Sequence, residues 1–468
     1  MKNIPKRSLV IAIATLIAIP TVLIVRVRVA ANYAHSQVAY KSYQEQERLK
    51  AKVEAEAHNN EQAIAKLRAD VQAQPTDVSA RWRLVNALQR LKMLKEALPH
   101  LQEIVRLTPD SMDAALAVSN TYLFLRQFRD AEKAYRTITQ RWPKNVEGWQ
   151  GLAASFYHQR LYSEAGRAGR KALMLDPQDF GNRFIVASSG LEFALEFPNE
   201  PETQEVIDSA RKLIKGMLEE FPNNGDLHYK LGIILFLSHK TQDSLPPLRH
   251  AAQLLPDRGS VIYDLAEILI SAGNYAEARD LLLRSLPRMP KMAGLYNLLS
   301  ESYQYDKDAT SSQAAIRASL TATQLAPNTP SYWDRLALSY LKVQDFANAR
   351  QAFEKSAILN PNRSYPYQQL AALYARMGES KRATAAAQMA SRMEANAETL
   401  RHIESLSAQY PGDVNLMLIR ADRYRELKMN GPARDLYHQI LALQPDSVPA
   451  TKGLAALEKP SPPKQGTK

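Results

Sequence analysis

The 468-residue sequence contains no cysteine, which removes disulfide scaffolds, Cys-ligated zinc, iron–sulfur clusters and thiol nucleophiles. Its 17 glycines are too few for Gly-rich phosphate loops or a turn-dense all-β fold. A large excess of either charge sign is lacking as well. The 60 Lys+Arg and 48 Asp+Glu leave a net +12, which suits an anionic membrane surface or acidic partners without proving either. Phosphate-loop, GxGxxG, GxSxG and HExxH patterns are missing. The nine His are dispersed, and His239 and His250 lack metal-ligand spacing. Ser209-Ala210-Arg211-Lys212 fits SxxK, but no KTG partner accompanies it. No catalytic residue, metal or cofactor is therefore expected, and the chain does not read as an enzyme. What is present is a 45% hydrophobic fraction, that of a chain that folds.

One long apolar run stands out. Ser8 to Val25 carries no charge, and a helix of that length rises about 27 Å, close to the hydrocarbon thickness of a bilayer. It reads as an uncleaved signal anchor, a single-pass membrane segment within residues 1–31. A cleaved signal peptide ending near Val29-Ala30-Ala31 and a buried soluble helix compete with that reading. Lys2, Lys6 and Arg7 slightly outweigh Arg26 and Arg28, so the positive-inside rule puts the rest of the chain on the extracytoplasmic side. Residues 32–75 are rich in helix formers and read as a helical stem, with a charged linker as the alternative for 32–58.

Proline sets the organisation of the remainder. Pro75, Pro109, Pro143 and Pro177 stand 34 residues apart, as do Pro222, Pro256 and Pro290, then Pro327 and Pro361, then Pro411 and Pro445. Such a period marks stacked supersecondary units. Between prolines, Trp149, Leu152, Ala153 and Phe156 recur at i, i+3, i+4 and i+7, one face of a helix. Ala165, Gly169 and Ala172 mark a second helix, which Asp176-Pro177 ends. Trp333, Leu336, Ala337 and Tyr340, then Ala349, Phe353 and Asn360-Pro361, repeat the pattern.

This pattern resembles the tetratricopeptide repeat, a helix–turn–helix unit with small residues where helices approach and large ones between them. Val118, Ser119, Tyr122, Ala131, Tyr135, Ile138 and Pro143 match it in one period; Ala421, Tyr424, Ala433, Tyr437 and Pro445 match it in another. The resemblance spans residues 44–458 and implies an all-α superhelical solenoid of about ten helix pairs over 76–458. Eleven extra residues near 190–205 read as a lengthened turn around Phe197-Pro198-Asn199-Glu200-Pro201, and three more fall near 305–312. Sixteen extra residues near 396–411 are enough for an additional helix, Ala397–Gln409, outside the pairing. A short helix, Val448–Glu458, closes the last apolar face, and residues 459–468 read as a disordered tail.

In that family the first helix of each pair lines the inner face, and repeat positions 2, 5, 9 and 12 face the groove. The residues this places there include Trp82, Asn86, Gln89, Asn120, Gln150, Tyr157, Tyr229, Phe236, Tyr263, Glu267, Asn297, Glu301 and Gln304. Rings beside amides suit an extended peptide; a groove filled only by solvent or by its own side chains is the competing reading. Some members clamp a terminal carboxylate with paired Lys and Asn. Here Asn86 and Asn120 hold Asn-like places, but Trp82 and Leu116 stand where Lys is needed. The expected function is a non-catalytic, membrane-anchored scaffold or adaptor for a protein or peptide partner. The alternatives are a substrate-recognition subunit of an envelope-assembly or glycan-handling complex, and a self-assembling structural protein. Basic and acidic residues interleave, so nucleic acid is not an expected partner.

Overall fold

The computed structural model describes residues 61–458, apart from 307 and 411. Among them there are helices and turns and no strand. The chain divides into two compact units that meet in sequence at Met217 and Leu218. The first holds α1 (61–73), α2 (Val78–Arg90), α3 (Leu94–Leu107), α4 (Met112–Phe124), α5 (Phe128–Arg141), α6 (Val146–His158), α7 (Tyr162–Leu175), α8 (Phe180–Glu196) and most of α9 (Thr203–Glu220). The second holds α10 (Gly225–Leu237), α11 (Thr241–Leu254), α12 (Gly259–Ser271), α13 (Tyr275–Ser285), α14 (Ala293–Ser302), α15 (Ala309–Leu325) and α16 (Pro330–Lys342). It continues with α17 (Phe346–Leu359), α18 (Ser364–Arg376), α19 (Ser380–Gln409), α20 (Val414–Glu426), α21 (Asn430–Leu443) and α22 (Val448–Glu458). From α2 on, even-numbered helices open a pair and odd-numbered ones close it; the ten pairs end in α22.

Local chemistry sets each boundary. Asp77, Ser111, Asn145 and Asn224 accept hydrogen bonds from first-turn amides of α2, α4, α6 and α10, satisfying donors that a helix start leaves orphaned. The 34-spaced prolines in the described residues lie in the turns between pairs, where no helical N–H is needed. Several of their carbonyls are used six residues later. Trp149 Nε1 donates to Pro143 O at 2.9 Å and Trp333 Nε1 to Pro327 O at 2.8 Å; Arg81 reaches Pro75 O in the same way. The bulky residue opening a repeat thus latches the turn before it.

The turns inside pairs share another device. In eight of the ten, the middle residue has positive φ: Lys92, Arg126, Arg160, His239, Gly273, Gln344, Gly378 and Lys428. The following N–H then reaches the carbonyl five residues back, as Met93 does to Leu88 at 2.8 Å and Asp345 to Tyr340 at 3.0 Å. This left-handed closure satisfies the last carbonyls of the helix and turns the chain within three residues.

Packing follows the expected large-against-small scheme. Tyr135 on α5 is fully buried, and a Cβ on Gly151 of α6 would stand 2.1 Å from its ring. Tyr437 on α21 meets Gly453 of α22 in the same way, at 2.2 Å. Fully buried Leu84, Leu101, Ile104, Leu227 and Ile234 are each worth about 1.5–3 kcal/mol of burial. Some opening helices also touch the next opening helix, as in α4 with α6, α12 with α14 and α14 with α16, so each of these groups shares one layer.

Insertions lengthen helices more than turns. α8 and α9 have 17 and 18 residues against the usual 13 and 14, and Phe197–Glu202 replaces a three-residue turn, which accounts for all eleven extra residues. The expected separate helix at Ala397–Gln409 is not formed. Those residues continue α19, one helix of 30 residues, because nothing between Ser380 and Gln409 interrupts it: the stretch has no Pro or Gly. Tyr374 Oη donates to Glu354 at 2.7 Å, joining α18 to the preceding closing helix across 20 positions. Tyr424 Oη repeats the link to Glu404 at 2.5 Å, but Glu404 lies 16 residues deeper in its helix than Glu354 does. The extension therefore displaces α20 along α19 by about 24 Å.

The membrane expectation is corrected. Its span, residues 8–25, lies outside the described residues, as do the stem from 32 to 60 and the tail 459–468. Among the described residues no helix is long and apolar enough to cross a membrane. The longest, α19, carries Lys381, Arg382, Arg392, Glu394, Glu398, Arg401 and Glu404. A single-pass membrane protein with extracytoplasmic repeats is not supported.

Candidate functional site

The groove residues expected from the repeat fall on opening helices, except Gln304, which stands in the turn after α14. In the first unit most are already engaged. Trp82 packs beside Val85, Leu101 and Ile104. Asn120 accepts from the Tyr135 hydroxyl and donates to Glu147 at 2.8 Å, bridging α4, α5 and α6. Gln150 donates to Asp179 at 3.1 Å and to Asn182 at 2.8 Å on the next pair. Tyr157 donates to Glu192 at 3.3 Å, and burial, with Glu192 adding, pushes its phenol well above the usual range. Asn86 is exposed and Gln89 half-buried.

The second unit is different. Tyr229 on α10 donates its hydroxyl to Asp264 on α12, and Phe236 lies half-buried two turns on. Tyr263 lies over Gly294 of α14: a Cβ there would stand 2.9 Å from the ring, and 3.5 Å from the Tyr332 hydroxyl of α16. The missing side chain at Gly294 lets two tyrosines converge. Asn297 and Glu301 follow on α14, one turn apart and so on one face. Glu301 pairs with Arg335 of α16 at 2.7 Å. Tyr263, Glu267, Asn297 and Glu301 are thus gathered on one surface of α12, α14 and α16.

The electrostatics of that surface are unbalanced. Burial raises the Asp264 carboxyl, and the Tyr229 hydroxyl only partly offsets this. Glu267, reachable by solvent between the helices, is raised by partial desolvation first, then by repulsion from Asp264 and Glu301. Tyr263 is raised by burial, with Glu267, Tyr332, Asp264 and Glu301 adding. Asn297 Oδ1 and Gln304 Nε2 are buried without a hydrogen-bond partner. Helices α12 and α14 carry no Lys or Arg. Among the described residues, the cation paired to these carboxylates is Arg335. The three carboxylates do not converge as a metal site; no group of three or more His, Cys, Asp or Glu among the described residues could hold one.

Sequence reasoning missed Asp264, Tyr332 and Arg335. Asp264 sits next to a position assigned to the groove, but whether it points to core or groove depends on the helix's rotation. Tyr332 and Arg335 come from α16, whose groove positions a single-repeat template does not connect to α12. The turn after α14 is also tied down: Lys342 Nζ donates to the Tyr303 and Gln304 carbonyls at 2.7 and 2.8 Å, and Arg279 pairs with Asp306.

Comparison with known proteins agrees with the repeat. Protein O-mannosyl-transferase TMTC3 of Homo sapiens is 25% identical over 233 residues, which is 46% of this chain and 24% of that protein. The chain thus spans about a quarter of the length of this curated relative. Human IFIT1, solved as a dimer with PPP-AAAA, is 16% identical with a TM-score of 0.39 over 82% of this chain and 95% of its own. MamA from Desulfovibrio magneticus RS-1 is 16% identical with a TM-score of 0.34 over 36% of this chain and 94% of its own. At these values the two structures carry no argument about function. Tetratricopeptide-repeat family models match residues 48–111, 117–180, 235–301 and 330–363, and with the helix pairs described above the chain belongs to the tetratricopeptide-repeat family.

Proposed function

We propose that the chain is a non-catalytic scaffold or adaptor that binds a protein or peptide partner on the opening-helix surface of its second unit. The family supports this, since such repeats mediate protein–protein interaction. The observation that carries it is the surface of Tyr263, Glu267, Asn297 and Glu301, whose polar groups are only partly engaged within the chain. In the first unit, by contrast, Asn120, Gln150 and Tyr157 are engaged with neighbouring helices. Crosslinking and mass spectrometry in the native cell identifies the partner. Tyr263→Ala in the full chain then weakens capture of that partner at unchanged helicity. Unchanged capture rejects the surface.

A second reading rests on the similarity to a protein O-mannosyl-transferase. Here the chain is the substrate-recognition arm of a glycan-handling complex whose catalytic centre is on another chain. Co-purification of a glycosyltransferase in fixed stoichiometry supports this reading; its absence from all crosslinked species rejects it.

A further inference from the structure

The surface between α12, α14 and α16 is rich in acceptors and poor in donors. Asp264 accepts from Tyr229, and Glu301 accepts from Arg335. Glu267 has neither a hydrogen bond nor an ion pair among the described residues. Two phenol rings, Tyr263 and Tyr332, stand beside these acceptors over Gly294. Like charges placed together at a partly desolvated surface weaken the free protein, and among the described residues no hydrogen bond or ion pair offsets this at Glu267. The carboxylates are too dispersed to chelate a metal ion. A cation on a long aliphatic stem, bearing several N–H donors and able to lie against aromatic faces, suits the unpaired Glu267 and the two rings together.

We propose that this surface takes lysine or arginine side chains of an extended peptide segment of the partner, with Glu267 pairing the cation and Tyr263 and Tyr332 covering the aliphatic stem. The inference rests on the scaffold reading and gives it a charge sign. It is opposite to that of a carboxylate clamp, which needs cations where this surface has acids.

The test uses the full chain and two fluorescein-labelled peptides of equal length, one alternating lysine with tyrosine and one alternating glutamate with tyrosine. Fluorescence anisotropy is expected to show tighter binding of the lysine peptide by about tenfold or more, weakening with added salt. Glu267→Gln is expected to cost about tenfold in that affinity and to raise Tm, since it removes repulsion from the free protein. A purely structural Glu267 would lower Tm on substitution. Glu103→Gln, on α3 of the other unit, leaves binding unchanged. Equal affinity for the two peptides, unaltered binding by Glu267→Gln, or a lowered Tm overturns the inference. If Tyr263→Ala abolishes capture of the native partner and Glu267→Gln does not, the scaffold surface stands and its cation preference falls. If neither changes capture, the surface itself falls.

Discussion

Residue-scale effects divide into backbone, packing and charge. Gln344 holds φ +62° in a turn that Gly273 and Gly378 fill elsewhere without a Cβ. Gln344→Gly is expected to stabilise by about 0.5–1 kcal/mol, because the left-handed conformation penalises a side chain. Urea titration of the two proteins reads this directly. Gly151→Ala places a methyl 2.1 Å from the Tyr135 ring and is expected to destabilise by about 1–3 kcal/mol, seen as an earlier urea midpoint. For charge, the sign follows from Glu267, whose folded-state pKa lies above its ordinary 4.5. The stability it confers is present below pH 4.5 and is lost as pH rises through the shifted value. Melting curves of Glu267→Gln against the natural protein are therefore expected to diverge from acid toward neutral pH, with the variant more stable at neutrality. At this scale the repeat made Tyr263, Glu267, Asn297 and Glu301 legible by position alone. It could not show that Asn120 and Gln150 are engaged elsewhere, because their partners Tyr135, Glu147, Asp179 and Asn182 depend on how adjacent pairs dock.

At the scale of the element, the proline spacing announced where pairs begin, because a proline there lacks only a donor the helix does not need. It could not say how the 16 surplus residues between Pro361 and Pro411 would be spent. Propensity favours helix through that whole stretch, and length alone fits one long helix as well as two. The structure joins them in α19, and this has a direct test. Proline at the first turn of a separate helix starting at Ala397 would be tolerated. In the interior of a continuous helix it costs about 3 kcal/mol or more. Ala397→Pro is expected to show the larger loss in denaturant melts; a near-neutral result would restore the separate helix. The phenols of Tyr374 and Tyr424, pushed up to about 12 by burial and then by Glu354 and Glu404, mark the two equivalent joints on either side of the α18–α19 pair.

At the scale of the whole molecule, each pair leans mainly on its neighbours, so perturbations stay local. Gly151→Ala in the first unit is accordingly expected to leave binding at α12 and α14 unchanged, even where it lowers stability. Function then belongs to a stretch of repeats instead of one residue, and the charge carried by α12 and α14 decides what that stretch admits. The measurement that bears on this most directly is hydrogen exchange of the full chain with and without its crosslinked partner. The account predicts new protection in 259–271 and 293–304 and little in the closing helices α13 and α15. Protection confined to those closing helices, or none in the second unit, would contradict it.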